Sequence, residues 1–120
     1  MKLRIQGDSL RLRLTRPEVD RLVEGGEVRD AVHVAPGVSV GYAVRVGERG
    51  PLAAAWDGTS LVVTVPRGDL AGWPEDDREG FAAQQDAGGG RRLAIHVEKD
   101  YACGHREGEH RDAFPRPAAT

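Results

Sequence analysis

Lys2-Leu3-Arg4-Ile5-Gln6-Gly7-Asp8-Ser9-Leu10-Arg11-Leu12-Arg13-Leu14 begins with two alternating runs around a turn, and the rest of the architecture is built on this pattern. Leu3 and Ile5 alternate with Lys2, Arg4 and Gln6, while Leu10, Leu12 and Leu14 alternate with Arg11 and Arg13. A period of two marks strands with one buried face. Gly7-Asp8, with glycine first, suits a type II′ hairpin turn. That turn places Gln6 opposite Ser9, Ile5 opposite Leu10, Arg4 opposite Arg11, Leu3 opposite Leu12 and Lys2 opposite Arg13. Lys2, Arg4, Arg11 and Arg13 then share one face, and the aliphatic side chains share the other.

Outward from the hairpin, Thr15-Arg16-Pro17-Glu18 starts a helix, with Thr15 as N-cap, Pro17 in the first turn and Glu18 at the capping-box position. Val19, Leu22 and Val23 form its apolar stripe, and Gly25-Gly26 ends it. Strands are expected over Glu27–Ala35 and Ser39–Val46, joined through Pro36-Gly37. The same order then recurs. Leu52–Trp56 and Ser60–Val65 flank Asp57-Gly58-Thr59; residues 67–73 resemble a short, glycine-weakened helix that stops before Pro74; strands follow at Gly80–Gln85 and Arg91–Glu98.

A shift of 51 positions lays Gly7 on Gly58, Ser9 on Ser60, Leu10 on Leu61, Leu12 on Val63, Leu14 on Val65, Arg16 on Arg67, Glu18 on Asp69 and Val19 on Leu70. The expected fold is therefore α+β, with duplicated ββαββ units of about 1–47 and 51–98 in a single domain of 1–101, followed by an irregular tail of 102–120. One such unit buries too little apolar surface to stand alone, so the two should share a core. The expected forms are an antiparallel curved sheet or partly closed barrel, or two packed four-stranded sheets, with two short helices covering the open side. In a sheet curling towards closure the first and last strands are neighbours, which would set Glu98 or Asp100 beside Arg4, Arg11 or Arg13.

Composition narrows the function classes. In 120 residues, 17 Lys+Arg oppose 19 Asp+Glu, and 39% of residues are hydrophobic, ordinary values for a chain with one modest core. A collagen-like chain, a disulfide scaffold and a fully disordered protein are excluded. The near-neutral balance argues against general nucleic-acid binding. One cysteine, Cys103, cannot form an intrachain disulfide, and the amino-terminal stretch has no apolar run, so no membrane association and a cytoplasmic location are expected.

Two constellations have chemistry to offer. Lys2, Arg4, Arg11 and Arg13 on one hairpin face suit an anionic small molecule or an acidic protein surface, because clustered guanidinium forks match carboxylates and phosphates. The alternative is an intramolecular network with Glu98, Asp100 or Glu27, or a solvated edge. The second is Cys103, His105 and His110, donors suited to a transition metal such as zinc, although their spacing matches no zinc-finger pattern. His96 shares a strand face with Glu98, the residue types of a base and its orienting partner, and a half-exposed strand position accounts for it as well. No nucleophile-elbow, Walker or dinucleotide motif occurs. The expected function is a non-enzymatic binding or interaction module without a cofactor, the metal-binding tail being the alternative.

Leu3-Arg4-Ile5-Gln6-Gly7-Asp8-Ser9-Leu10-Arg11-Leu12-Arg13-Leu14-Thr15, Val97-Glu98-Lys99-Asp100-Tyr101-Ala102-Cys103 and Asp112-Ala113-Phe114-Pro115 together carry a resemblance to a known family. It is a family of small uncharacterised bacterial proteins that opens with Ser-Leu-Arg-x-Arg-Leu and ends its last strand with Glu-Lys-Asp-aromatic-x-Cys. The resemblance spans nearly the whole chain and implies no activity or ligand.

Overall fold

In a computed structural model, residues 1–101 and Phe114 are described. Eight strands form two four-stranded sheets. The first contains β1 (Lys2–Ile5), β2 (Ser9–Leu14), β7 (Gly80–Gly88) and β8 (Arg91–Lys99), in the order β1-β2-β8-β7. The second contains β3 (Glu27–Ala35), β4 (Val38–Gly47), β5 (Ala53–Trp56) and β6 (Ser60–Pro66), in the order β3-β4-β6-β5. Helix α1 (Arg16–Val23) joins β2 to β3; α2 (Arg67–Leu70) and a 3-10 turn at Trp73–Glu75 lie between β6 and β7.

The amino-terminal hairpin pairs as expected, with Lys2 opposite Arg13, Leu3 opposite Leu12, Arg4 opposite Arg11 and Ile5 opposite Leu10. Gly7 has a φ of +54°, the sign that a glycine-first turn requires. The Gln6 amide donates to the Ser9 carbonyl at 3.1 Å, and the Asp57 amide donates to the Ser60 carbonyl at the same distance.

The antiparallel curved sheet or partly closed barrel does not form. Each hairpin joins its sheet through a parallel ladder, β2 with β8 and β4 with β6, so the eight strands divide into two mixed sheets that end on β1, β7, β3 and β5. The last strand consequently lies beside β2 and not beside β1. The two ladders have matching registers: Ser9 faces Ala94 in one, and Ser60 faces Gly41 in the other. The outer hairpins also match, with register shifts at His33/Ala35 and at Asp86/Gly88.

The aliphatic faces of both sheets meet in one core. Leu12, Leu14, Ile95 and Val97 come from the first sheet, and Val28, Val44, Val63 and Val65 from the second. Val19 and Leu22 of α1 join them with Leu70, Trp73 and Phe114. Glu18 ties down the start of α1: its carboxylate accepts the Thr15 amide at 2.9 Å, the Thr15 hydroxyl at 3.1 Å and the Met1 ammonium at 2.8 Å. The second helical segment differs from the expected one. It ends at Leu70, Gly72 turns left-handed at a φ of +75°, and Pro74 sits inside the 3-10 turn that follows. Gly68 and Gly72 weaken a helix by about 1 kcal/mol each relative to alanine, enough to stop so short a one.

Candidate functional site

With the leucines and valines turned inward, the other face of the first sheet carries polar and small residues, and the outer element packed at its rim is the chain around Arg78. Cross-strand register arranges this face in rows. Lys2, Arg13, Glu98 and Gly80 form one row; Arg4, Arg11, His96 and Ala82 form the next; Ser9, Ala94 and Gln84 form the third. The first residues of the rows come from the amino-terminal hairpin, and the last two of each from the final hairpin. All four sequence-predicted cations therefore stand together, as expected.

Their ion pairs are loose and incomplete. Glu98 lies 3.6 Å from Arg11 Nη1 and 3.7 Å from Arg13 Nε, longer than a hydrogen bond. Its Oε1 is buried with no hydrogen-bond partner among the described residues. Lys2 reaches the buried Asp100 carboxylate at 3.3 Å. Arg4 donates to the neutral Gln6 side chain at 3.0 Å and meets no carboxylate among the described residues. Four cations are thus served by two carboxylates, and Arg4 directly faces Arg11, an arrangement that costs about 0.2–1 kcal/mol.

Depressions formed by the described residues lie on this face. Arg4, Gln6, Ser9 and Arg11 line the first, of about 130 Å³. Ala82, Gln84, Ala94 and His96 line the second, of about 250 Å³. Arg78, Gly80, Phe81, Ala82, His96 and Glu98 line the third, of about 360 Å³. His96 borders two of them. Small side chains make the floor: Gly80 has no room for a Cβ, which would collide with the Val97 carbonyl, and Ala82 and Ala94 present only methyl groups.

Two of these contributors, Gly80 and Ala82, do not stand out in sequence. They are far in sequence from the arginines of the same rows, and the β2–β8 and β7–β8 ladders bring them onto one face, with β8 between. His96 and Glu98 were legible as a same-face pair, and the expected approach of Glu98 to Arg11 and Arg13 occurs, through the parallel β2–β8 ladder and not through a sheet curling towards closure.

The other sequence candidates fall elsewhere. Cys103, His105 and His110 lie outside the described residues, and among the described residues no three His, Cys, Asp or Glu side chains gather as a metal site would need. No described helix is long and apolar enough to cross a membrane.

A family model matches residues 1–118, and the chain belongs to that family, described as a family of unknown function (DUF7009). The resemblance to an uncharacterised family is thereby established. No curated protein and no solved structure matches the chain.

Proposed function

We propose that the open face of the first sheet binds a small oxyanion, a phosphate or a carboxylate, and that the protein is a non-enzymatic binding module. The observation that carries this reading is the Arg4–Arg11 pair. Two guanidinium groups face each other across a hairpin and line one depression with Gln6 and Ser9; Arg11 has one loosely placed carboxylate, and Arg4 has none among the described residues. An oxyanion seated there would accept two charge-assisted forks and relieve the like-charge contact. A depression of about 130 Å³ is sized for a single oxyanion group and not for a strand or helix of a protein partner, which favours the small ligand over an acidic protein surface.

The duplicated ββαββ layout gives the asymmetry of this face a meaning. Support for duplication comes from equal sheet orders, equal parallel registers and register shifts at corresponding places. On that equivalence Lys2, Arg4, Arg11 and Arg13 correspond to Ala53, Ala55, Val62 and Thr64, so charge at these hairpin positions belongs to the first sheet only. The lone cysteine supports an intracellular placement.

Titration of the protein with inorganic phosphate, followed by arginine side-chain NMR, tests the proposal. Arg4 and Arg11 Nε–H signals should move in a saturable manner, and added salt should weaken the effect. Arg4→Ala and Arg11→Ala should each weaken binding by about tenfold or more, the loss of a hydrogen bond to a charged group. Shifts spread evenly over all exposed arginines would sink the idea, and saturation by an acidic peptide but not by phosphate would replace it with a protein partner.

A further inference from the structure

We infer that the oxyanion is carried on a flat heteroaromatic ring, with the ring lying over Ala94 and Ala82 against His96. This rests on the oxyanion site proposed above and names the class of ligand. The two sheets supply the argument, because one of them already covers the corresponding floor.

In the second sheet, Arg29 stands opposite Ala43 and sends Nη1 to Ser60 Oγ at 3.2 Å. Its planar guanidinium group therefore lies beside Gly41, 3.7 Å from where a Cβ on that glycine would sit. In the first sheet, the residue paired with His96 as Arg29 is with Ala43 is Ala82, and Ser9 and Ala94 pair as Ser60 and Gly41 do. The planar side chain is thus replaced by a methyl group, and the floor it would cover opens as the depression of about 250 Å³. A flat group of a ligand fits where the guanidinium plane lies in the other sheet.

Charge and reach fix the rest. The methyl floor with an imidazole on its border suits a ring face. Gln84 Oε1 accepts from Arg92 Nε–H at 3.2 Å, which leaves the Gln84 amide N–H groups to donate to a ring heteroatom. The arginine depression spans β1 and β2 and the alanine depression spans β7 and β8, so their centres are two ladder spacings apart, about 10 Å. That separation calls for a short linker between phosphate and ring, the proportions of a nucleoside monophosphate.

Calorimetric titration of the full chain with adenosine 5′-monophosphate, ribose 5-phosphate and inorganic phosphate tests this. Adenosine monophosphate should bind about tenfold or more tighter than ribose 5-phosphate. Ala82→Gln and Ala94→Val, which refill the floor without changing charge, should remove that preference and leave phosphate binding as it was. Equal affinity for the two esters, with phosphate still bound, overturns the ring subsite and leaves the oxyanion site standing. A preference untouched by both substitutions overturns its location. Binding of none of the three overturns both readings.

Discussion

Lys99 ends β8 with its ammonium enclosed. Its Nζ lies 5.9 Å from the Trp73 ring and 5.1 Å from the Phe114 ring, donates to the Asp76 carbonyl, and stands 3.8 Å from the Asp76 carboxylate. Burial outweighs that carboxylate and holds the ammonium below the ordinary lysine range. Between the lowered folded value and the ordinary one, the unfolded chain binds the extra proton. Stability therefore rises with pH through that window, and the cost of the buried charge is fully present below it. Lys99→Met has no such titration, so the wild type should gain stability relative to it between about pH 7 and about pH 10. Urea unfolding of both proteins at the two pH values checks this, and a constant difference counts against it. Glu98 plays the opposite part at the open face, competing with any ligand for Arg11 and Arg13. Glu98→Gln should destabilise the fold by about 1 kcal/mol, a figure kept low by the half-exposed arginines, and should tighten phosphate binding. Weaker phosphate binding in that variant would show that Glu98 positions the arginines instead of competing for them.

Single elements show where local chemistry decides structure and where it yields. Glu18 closes the start of α1 by accepting from Thr15 and Met1, and Glu18→Ala should cost about 0.5–2 kcal/mol in chemical denaturation. Gly80 begins β7 against the Val97 carbonyl and the Glu98 Cα, backbone atoms that cannot rotate away. Gly80→Ala should therefore cost about 1–3 kcal/mol and loosen the β7–β8 end of the open face, read as lost amide protection at Phe81 and Glu98. The close approach at Gly80 was not legible in the sequence, but other local features were. The register of the first hairpin follows from Gly7-Asp8 and strict alternation, and the α1 cap from the Thr15 and Glu18 spacing. The second helical segment was legible only in position, because Gly68 and Gly72 break it and Trp73 buries itself through a separate turn, its Nε1 donating to the Arg78 carbonyl at 3.0 Å.

At the scale of the molecule, the hairpins exchange partners between the two halves of the chain. The first sheet combines β1 and β2 with β7 and β8, and the second combines β3 and β4 with β5 and β6. Alternation specifies which face of a strand is buried but not which distant strand lies beside it in parallel, so this exchange was hidden in the sequence, although the approach of Glu98 and Asp100 to the hairpin cations was not. The exchange has a physical consequence. Residues 1–50 contain β1 to β4, yet β2 lacks its β8 ladder and β4 lacks its β6 ladder. The core residues Ile95, Val97, Val63 and Val65, which cover Leu12, Leu14, Val28 and Val44, are also absent from that half. So small a piece, with half of its core missing, cannot offset the entropy of ordering its backbone. Residues 1–50 alone should give no cooperative urea transition, and mixing them with residues 51–120 should restore both the transition and phosphate binding, since Lys2, Arg4, Arg11 and Arg13 come from one piece and His96 and Glu98 from the other. Sedimentation of the isolated piece completes the test. Two copies pairing β2 with β4 in place of the exchanged hairpins would sediment as a dimer and support the repeat. A monomer of residues 1–50 that unfolds cooperatively would contradict the exchange of hairpins.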